Sequence, residues 1–152
     1  MVTAIVRHRL ENKKRNTMQP LIGKEGFDFY TYPGREGHEL PKFEGYLRLA
    51  VDGELLTKKD KDRPLLLLDA TWRKVGPMNK LFDYVEPRSL PALKSAYPYI
   101  GKYHPKPIGA LSSVEALATA FFIFGRADWV DVLENYYWKK QFLELNKEFF
   151  GL

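Results

Sequence analysis

Leu65-Leu66-Leu67-Leu68-Asp69-Ala70-Thr71-Trp72 follows Arg63-Pro64 and runs four aliphatic residues up against an acid. A run this short and apolar, bounded by a proline and an aspartate, predicts a strand buried on both faces, as the centre of a parallel sheet requires. Ligands of open α/β sheets bind outside the carboxyl ends of the strands, which is where the sequence puts Asp69, Thr71 and Trp72. A carboxylate there can meet a cation or an amino group, and a tryptophan supplies a flat apolar wall with one donor. The same residues also admit a structural use, with Asp69 capping the next turn and Trp72 filling core.

The chain is 152 residues long, 45% hydrophobic and 28% charged. That suits one globular domain burying roughly 68–70% of its unfolded surface and argues against disorder. No apolar run approaches the ~20 residues that span a bilayer. Arg7, His8 and Arg9 so near the start do not match a signal peptide, so no membrane partner and a cytoplasmic location are expected. There is no cysteine, and His8, His38 and His104 are far apart, so no metal is expected. The net charge of +5 favours a polyanionic partner. Arg7, Arg9, Lys13, Lys14 and Arg15 crowd the start. Lys58, Lys59, Lys61 and Arg63 precede the central strand, but Asp60 and Asp62 interleave them, as in a solvated loop.

Taken in order, residues 3–9 have the β-branched character of a strand with basic residues at its end. Residues 10–20 are polar and positive, a loop or a short helix ended by Pro20. Residues 23–45 are rich in glycines and aromatics, which predicts short strands and turns, whose aromatics either pack a sheet face or stack on bases. Tyr46 to Val51 reads as a strand stopped by the turn signal Asp52-Gly53. Trp72 to Gly76 reads as a loop lining the pocket, with a helix to Tyr84 that holds Pro77 in its first turn. Residues 87–93 predict a strand or an extended crossing segment, and 97–109 a loop. Ser112 with Glu115 forms a capping box ahead of an apolar helix that stops at Gly125. Another helix is expected from Asp128 to Tyr136, and a last one from Trp138 to Phe149 with Phe142, Leu145 and Phe149 on one stripe.

Four pieces in this order resemble a known superfamily: Leu-Leu-Leu-Leu-Asp-Ala-Thr-Trp, then Arg88-Ser89-Leu90-Pro91-Ala92-Leu93, then Leu111-Ser112-Ser113-Val114-Glu115-Ala116-Leu117, and finally Trp138 with Phe142-Leu143-Glu144-Leu145-Asn146. It joins the rRNA aminocarboxypropyltransferases of small-subunit ribosome maturation with the DTW-domain tRNA aminocarboxypropyltransferases. Lys14-Arg15-Asn16-Thr17 is similar to the family's Lys-Lys-Cys-Thr element. Asp-x-Thr-Trp leans to the DTW branch, and the closing Phe-Leu-Glu-Leu-Asn to the rRNA branch.

The resemblance implies an α/β, SPOUT-like domain with a mostly parallel sheet and a carboxy-terminal trefoil knot, preceded by a small β-rich part. Residues 1–60 would be the RNA-facing part and 61–152 the cofactor-binding part of one compact, monomeric unit. It implies S-adenosylmethionine (SAM) as the donor of a 3-amino-3-carboxypropyl group to N3 of a uridine or pseudouridine in rRNA or tRNA. Carried over by residue, Thr17 would bond the transferred group, Leu68 would offer backbone to the ribose, Trp72 and Val75 would pack around the sulfonium methyl, and Leu93 and Leu111 would line the adenine slot. Asp69 would orient the amino group or take the N3 proton, making Asp69 and Thr17 the catalytic candidates. Arg7, Arg9, Lys13, Lys14, Arg15 and Arg73 would meet RNA phosphates. The family's cysteine is Asn16 here, and its Ala-Asn-Pro is Ala96-Tyr97-Pro98. A SPOUT-type RNA methyltransferase and a non-catalytic RNA-binding module are the competing readings.

Overall fold

Five strands, all parallel to their neighbours, form one sheet in the order β2-β1-β4-β3-β5. They are β1 (Thr3–His8), β2 (Phe27–Tyr32), β3 (Leu47–Leu55), β4 (Leu65–Asp69) and β5 (Glu86–Ser89). The helices are α1 (Trp72–Leu81), α2 (Ser113–Ile123), α3 (Lys139–Leu145) and α4 (Lys147–Phe150). The computed structural model describes residues 2–11, 16–70, 72–98 and 111–152, with residues 72 and 73 as backbone. The chain is thus an α/β fold. Strands drawn from both sides of residue 60 share its sheet.

The aliphatic run is β4, buried at every position between β1 and β3. Its side chains divide by the period of two. Leu65 and Leu67 join Ile5, Leu47 and Leu49 against α2 and the carboxy-terminal helices. Leu66 and Leu68 join Ala4 and Val6 against Met78 and Phe82 of the α1 side. Burying the four leucines is worth about 1.5–3 kcal/mol each. The aromatics of 27–46 pack the sheet: Phe27 stacks on Phe121, and Phe43 meets Tyr30 and Tyr46 edge to face.

Several elements differ from the sequence reading. Pro20 opens a 3-10 turn, Gln19–Leu21, and does not end a helix, since its fixed φ suits a first turn. Strand β3 runs through Asp52-Gly53 without reversing. The register to β5 shifts between Leu49 and Glu54, and Gly53 at φ +106° lies so close to Pro87 that a Cβ would come within 3.0 Å of it. The turn signal is therefore spent on a bulge. Helix α1 already begins at Trp72, so the expected loop is helical and Pro77 lies inside it. The segment after Asp128 forms two 3-10 turns, Ala127–Trp129 and Asp131–Leu133, and no α-helix. The last helix breaks at Asn146, where Nδ2 donates to the Lys94 and Phe142 carbonyls and Oδ1 accepts from the Lys94 N–H at 2.8 Å. The buried stripe is consequently Phe142, Asn146 and Phe150, while Leu145 is 47% exposed. Most of the loop expected over 97–109 lies outside the described residues.

Candidate active site

The parallel register sets Arg7 of β1 directly beside Asp69 of β4, at the carboxyl end of both strands. Both are buried. Arg7 Nε lies 3.4 Å from Asp69 Oδ2. Asn16 donates to the same oxygen at 2.8 Å, and Ser113, the first residue of α2, donates its hydroxyl to Oδ1 at 2.7 Å. Arg7 also donates to Gln19 Oε1 and Asn16 Oδ1 and stacks over the Phe29 ring. Asp69 thus ties β1, the segment at residue 16 and the start of α2 to the end of the central strand. Both of its oxygens are taken by donors. Asn16, standing where the family has cysteine, is what reaches Asp69.

Arg7 was expected on an RNA phosphate. At 7% exposure its guanidinium is committed inside, because a buried carboxylate at register distance needs it more. Arg9 is exposed. Lys13, Lys14 and Arg15 lie outside the described residues, as do the side chains of Trp72 and Arg73. Thr17 is half-buried and follows Asn16, so the Asn16–Asp69 bond brings it to the end of β4.

A pocket of about 300 Å³ opens between the middle of β3, the carboxyl end of β4 and the segment after β5. Leu68 forms its floor, Val75 its α1 wall, and Leu111 and Ser113 its α2 wall. Three of the predicted cofactor residues, Leu68, Val75 and Leu111, therefore meet in one cavity. Leu93 does not join them. It is buried in the α2-side core, and Leu90, Pro91 and Ala92 face the pocket in its place. The volume is at the lower end of small-molecule sites and the walls are mostly apolar, which fits a nucleoside. A wider groove of about 800 Å³ covers the ends of β1 and β2, with Arg9, Arg35, His8 and His38 on its rim. Burial, then Lys74 and Arg9, hold His8 below its ordinary pKa.

A second buried carboxylate lies on α2 between the pocket residues Ser113 and Ala116. Glu115 is fully buried and accepts from Ser95 Oγ, the Ala96 N–H, the Ser112 N–H and the Tyr136 hydroxyl. Its capping role was legible in the sequence, whereas its hold on 95–96 was not. Burial first, and then the nearby Glu115, push the Tyr136 phenol well above its ordinary pKa. The sequence reading also passed over Ser113, and over Asn79 and Arg48, which bond to each other at 2.9 Å beside the pocket.

Residues 51–151 match the family described as ribosome biogenesis protein, C-terminal. The chain belongs to this family. Most of the pocket falls within the matched residues; Arg7, Asn16 and Thr17 precede them. The family member is similar to the 16S rRNA aminocarboxypropyltransferase of Thermoplasma volcanium, 38% identical over 85 residues, which are 55% of this chain and 48% of that protein. The protein of the same name from Methanopyrus kandleri is 35% identical over 102 residues, 61% of this chain and 56% of the relative. The chain thus spans about half the length of the relatives it matches. Among solved structures, the SAM-dependent rRNA:acp-transferase of Vulcanisaeta distributa superposes with a TM-score of 0.73 over 99% of this chain and 81% of that one, at 24% identity. That likeness is one of fold. No helix among the described residues is long and apolar enough to cross a membrane.

Proposed function

We propose that this family member transfers the 3-amino-3-carboxypropyl group of SAM to N3 of a uridine or pseudouridine in RNA, releasing 5′-methylthioadenosine. The observation that supports it best is the pocket at the carboxyl end of the sheet. There Leu68, Val75 and Leu111, the positions the resemblance assigns to SAM, come together in a chain of this family. Its likeness to 16S rRNA aminocarboxypropyltransferases favours rRNA of the small subunit as the acceptor.

The sulfonium of SAM supplies the leaving group. N3 attacks the side-chain methylene, the carbon–sulfur bond breaks with its electron pair going to sulfur, and the N3 proton passes to water. The protein's share is to hold the methylene in line with N3, a task of proximity and orientation. The apolar floor and walls seat the nucleoside, and Trp72 and Val75 turn the methyl away. Thr17, carried to the end of β4 by Asn16, bonds the transferred group. Asp69 holds that corner together through Arg7, Asn16 and Ser113 and orients the amino group, so it is a positioning residue. RNA approaches over residues 1–60, its phosphates on Arg9, Lys13, Lys14, Arg15 and Arg73, while 61–152 carry SAM. The trefoil knot and a monomeric state belong to the same proposal.

The test is to incubate the chain with small-subunit rRNA and with SAM labelled separately in the methyl and carboxypropyl carbons. The expected result is carboxypropyl label in RNA with methylthioadenosine released. Methyl label in RNA would make it a methyltransferase, and SAM binding with no label transferred would leave an RNA-binding module.

A further inference from the structure

Asn79 and Ser113 are the polar side chains lining the pocket among the described residues. Ser113 spends its hydroxyl proton on Asp69. Asn79 differs. Its Oδ1 accepts from Arg48 Nη1 at 2.9 Å. A guanidinium can only donate, so the amide orientation is fixed and Nδ2, with two protons, is turned away from Arg48. No described residue takes a hydrogen bond from that nitrogen, and the pocket offers it space.

Arg48 explains why the orientation holds. It is the second residue of β3, 6% exposed, on the apolar α1 side of the sheet beside Leu66. Among the described residues it has no carboxylate partner, and its Nε is buried without a hydrogen bond. A buried, unpaired guanidinium is costly and repels other cations nearby. SAM carries two cationic centres, the sulfonium and the ammonium. The part of the ligand beside Asn79 and Arg48 should therefore be the uncharged nucleoside, which the largely apolar lining of the pocket also suits.

We propose that Asn79, oriented by Arg48, is a binding residue for the nucleoside end of SAM, its amide N–H donating to a ring nitrogen or ribose oxygen. This rests on the pocket being the SAM site. The rival partner is the carboxylate of the amino-acid end, the only anion in the molecule, and methylthioadenosine separates the two because it keeps the nucleoside and lacks the carboxylate.

The experiment is calorimetric titration of SAM and of methylthioadenosine into the full chain and its Asn79→Ala and Asn79→Asp variants, with a thermal melt of each. Asn79→Ala should weaken both ligands by the same factor, about 3- to 10-fold, the range of a single hydrogen bond. Asn79→Asp forms an ion pair with Arg48 and keeps or raises the melting temperature, yet removes the donor. It should weaken methylthioadenosine at least as much, which separates lost contact from lost folding. Weakened SAM with unchanged methylthioadenosine would overturn the proposal in favour of the amino-acid end. Two unchanged ligands would overturn it outright. If the wild-type chain bound neither, the reading of the pocket itself would fall.

Discussion

Asp69 and Glu115 are both buried carboxylates surrounded by donors, yet the donors differ in kind. Asp69 gathers a guanidinium, an amide and a hydroxyl from three separate segments at the end of a strand. Glu115 gathers two backbone N–H groups and two hydroxyls, and no cation among the described residues. The first compensates a buried charge, and the second fixes backbone geometry. A carboxylate that neutralises an arginine cannot be removed without stranding it, whereas one that serves neutral donors can be partly replaced.

The largest effect should follow Asp69→Ala, which leaves Arg7 buried and unpaired and should cost about 3–5 kcal/mol in urea unfolding. Pairing it with Arg7→Met should recover much of that loss. If the double variant is no more stable than the single one, charge compensation is not what Asp69 does. Next comes Glu115→Gln. The hydroxyls of Ser95 and Tyr136 can turn to accept from the new amide, but the backbone N–H of Ala96 or Ser112 cannot, so one donor is orphaned at about 1–3 kcal/mol. A loss equal to that of Asp69→Ala would erase the distinction. The smallest effect should be His8→Gln, which leaves both hubs intact. His8 is held below its ordinary value of about 6.5, so the unfolded chain takes up the proton first. Its contribution is present above that pH and lost as pH falls through it. Stability of the wild type should drop more steeply between pH 7 and 5 than that of the variant, as read by unfolding across that window.

What was legible in the sequence is what short-range pattern dictates. Four leucines before Asp69 gave the central strand and the place of the pocket, and Ser112 with Glu115 gave the start of α2. The missed elements are those where tertiary contact overrode a local signal. Asp52-Gly53 is a turn signal in isolation, but β5 presses Pro87 against Gly53 and makes it a bulge. Asn146 follows a good helical stripe, yet its side chain leaves the helix pattern to hold Lys94. The polar partners of the site were out of reach for the same reason: Asn16 finds Asp69 across 53 positions, Ser113 across 44, and Arg48 finds Asn79 across 31. No window of sequence contains such pairs.

The bond from Asn146 to Lys94 has a further consequence. It fastens the carboxy-terminal helices to the segment that begins as the pocket lip at Leu90 to Ala92. A molecule seated against that lip binds best when those helices are docked, so by mass action it also holds them in place. Ligand at 100 times its Kd would add about 2.7 kcal/mol to the folded state. Part of that sum would be felt at α3 and α4, which do not line the pocket, as slower amide hydrogen exchange.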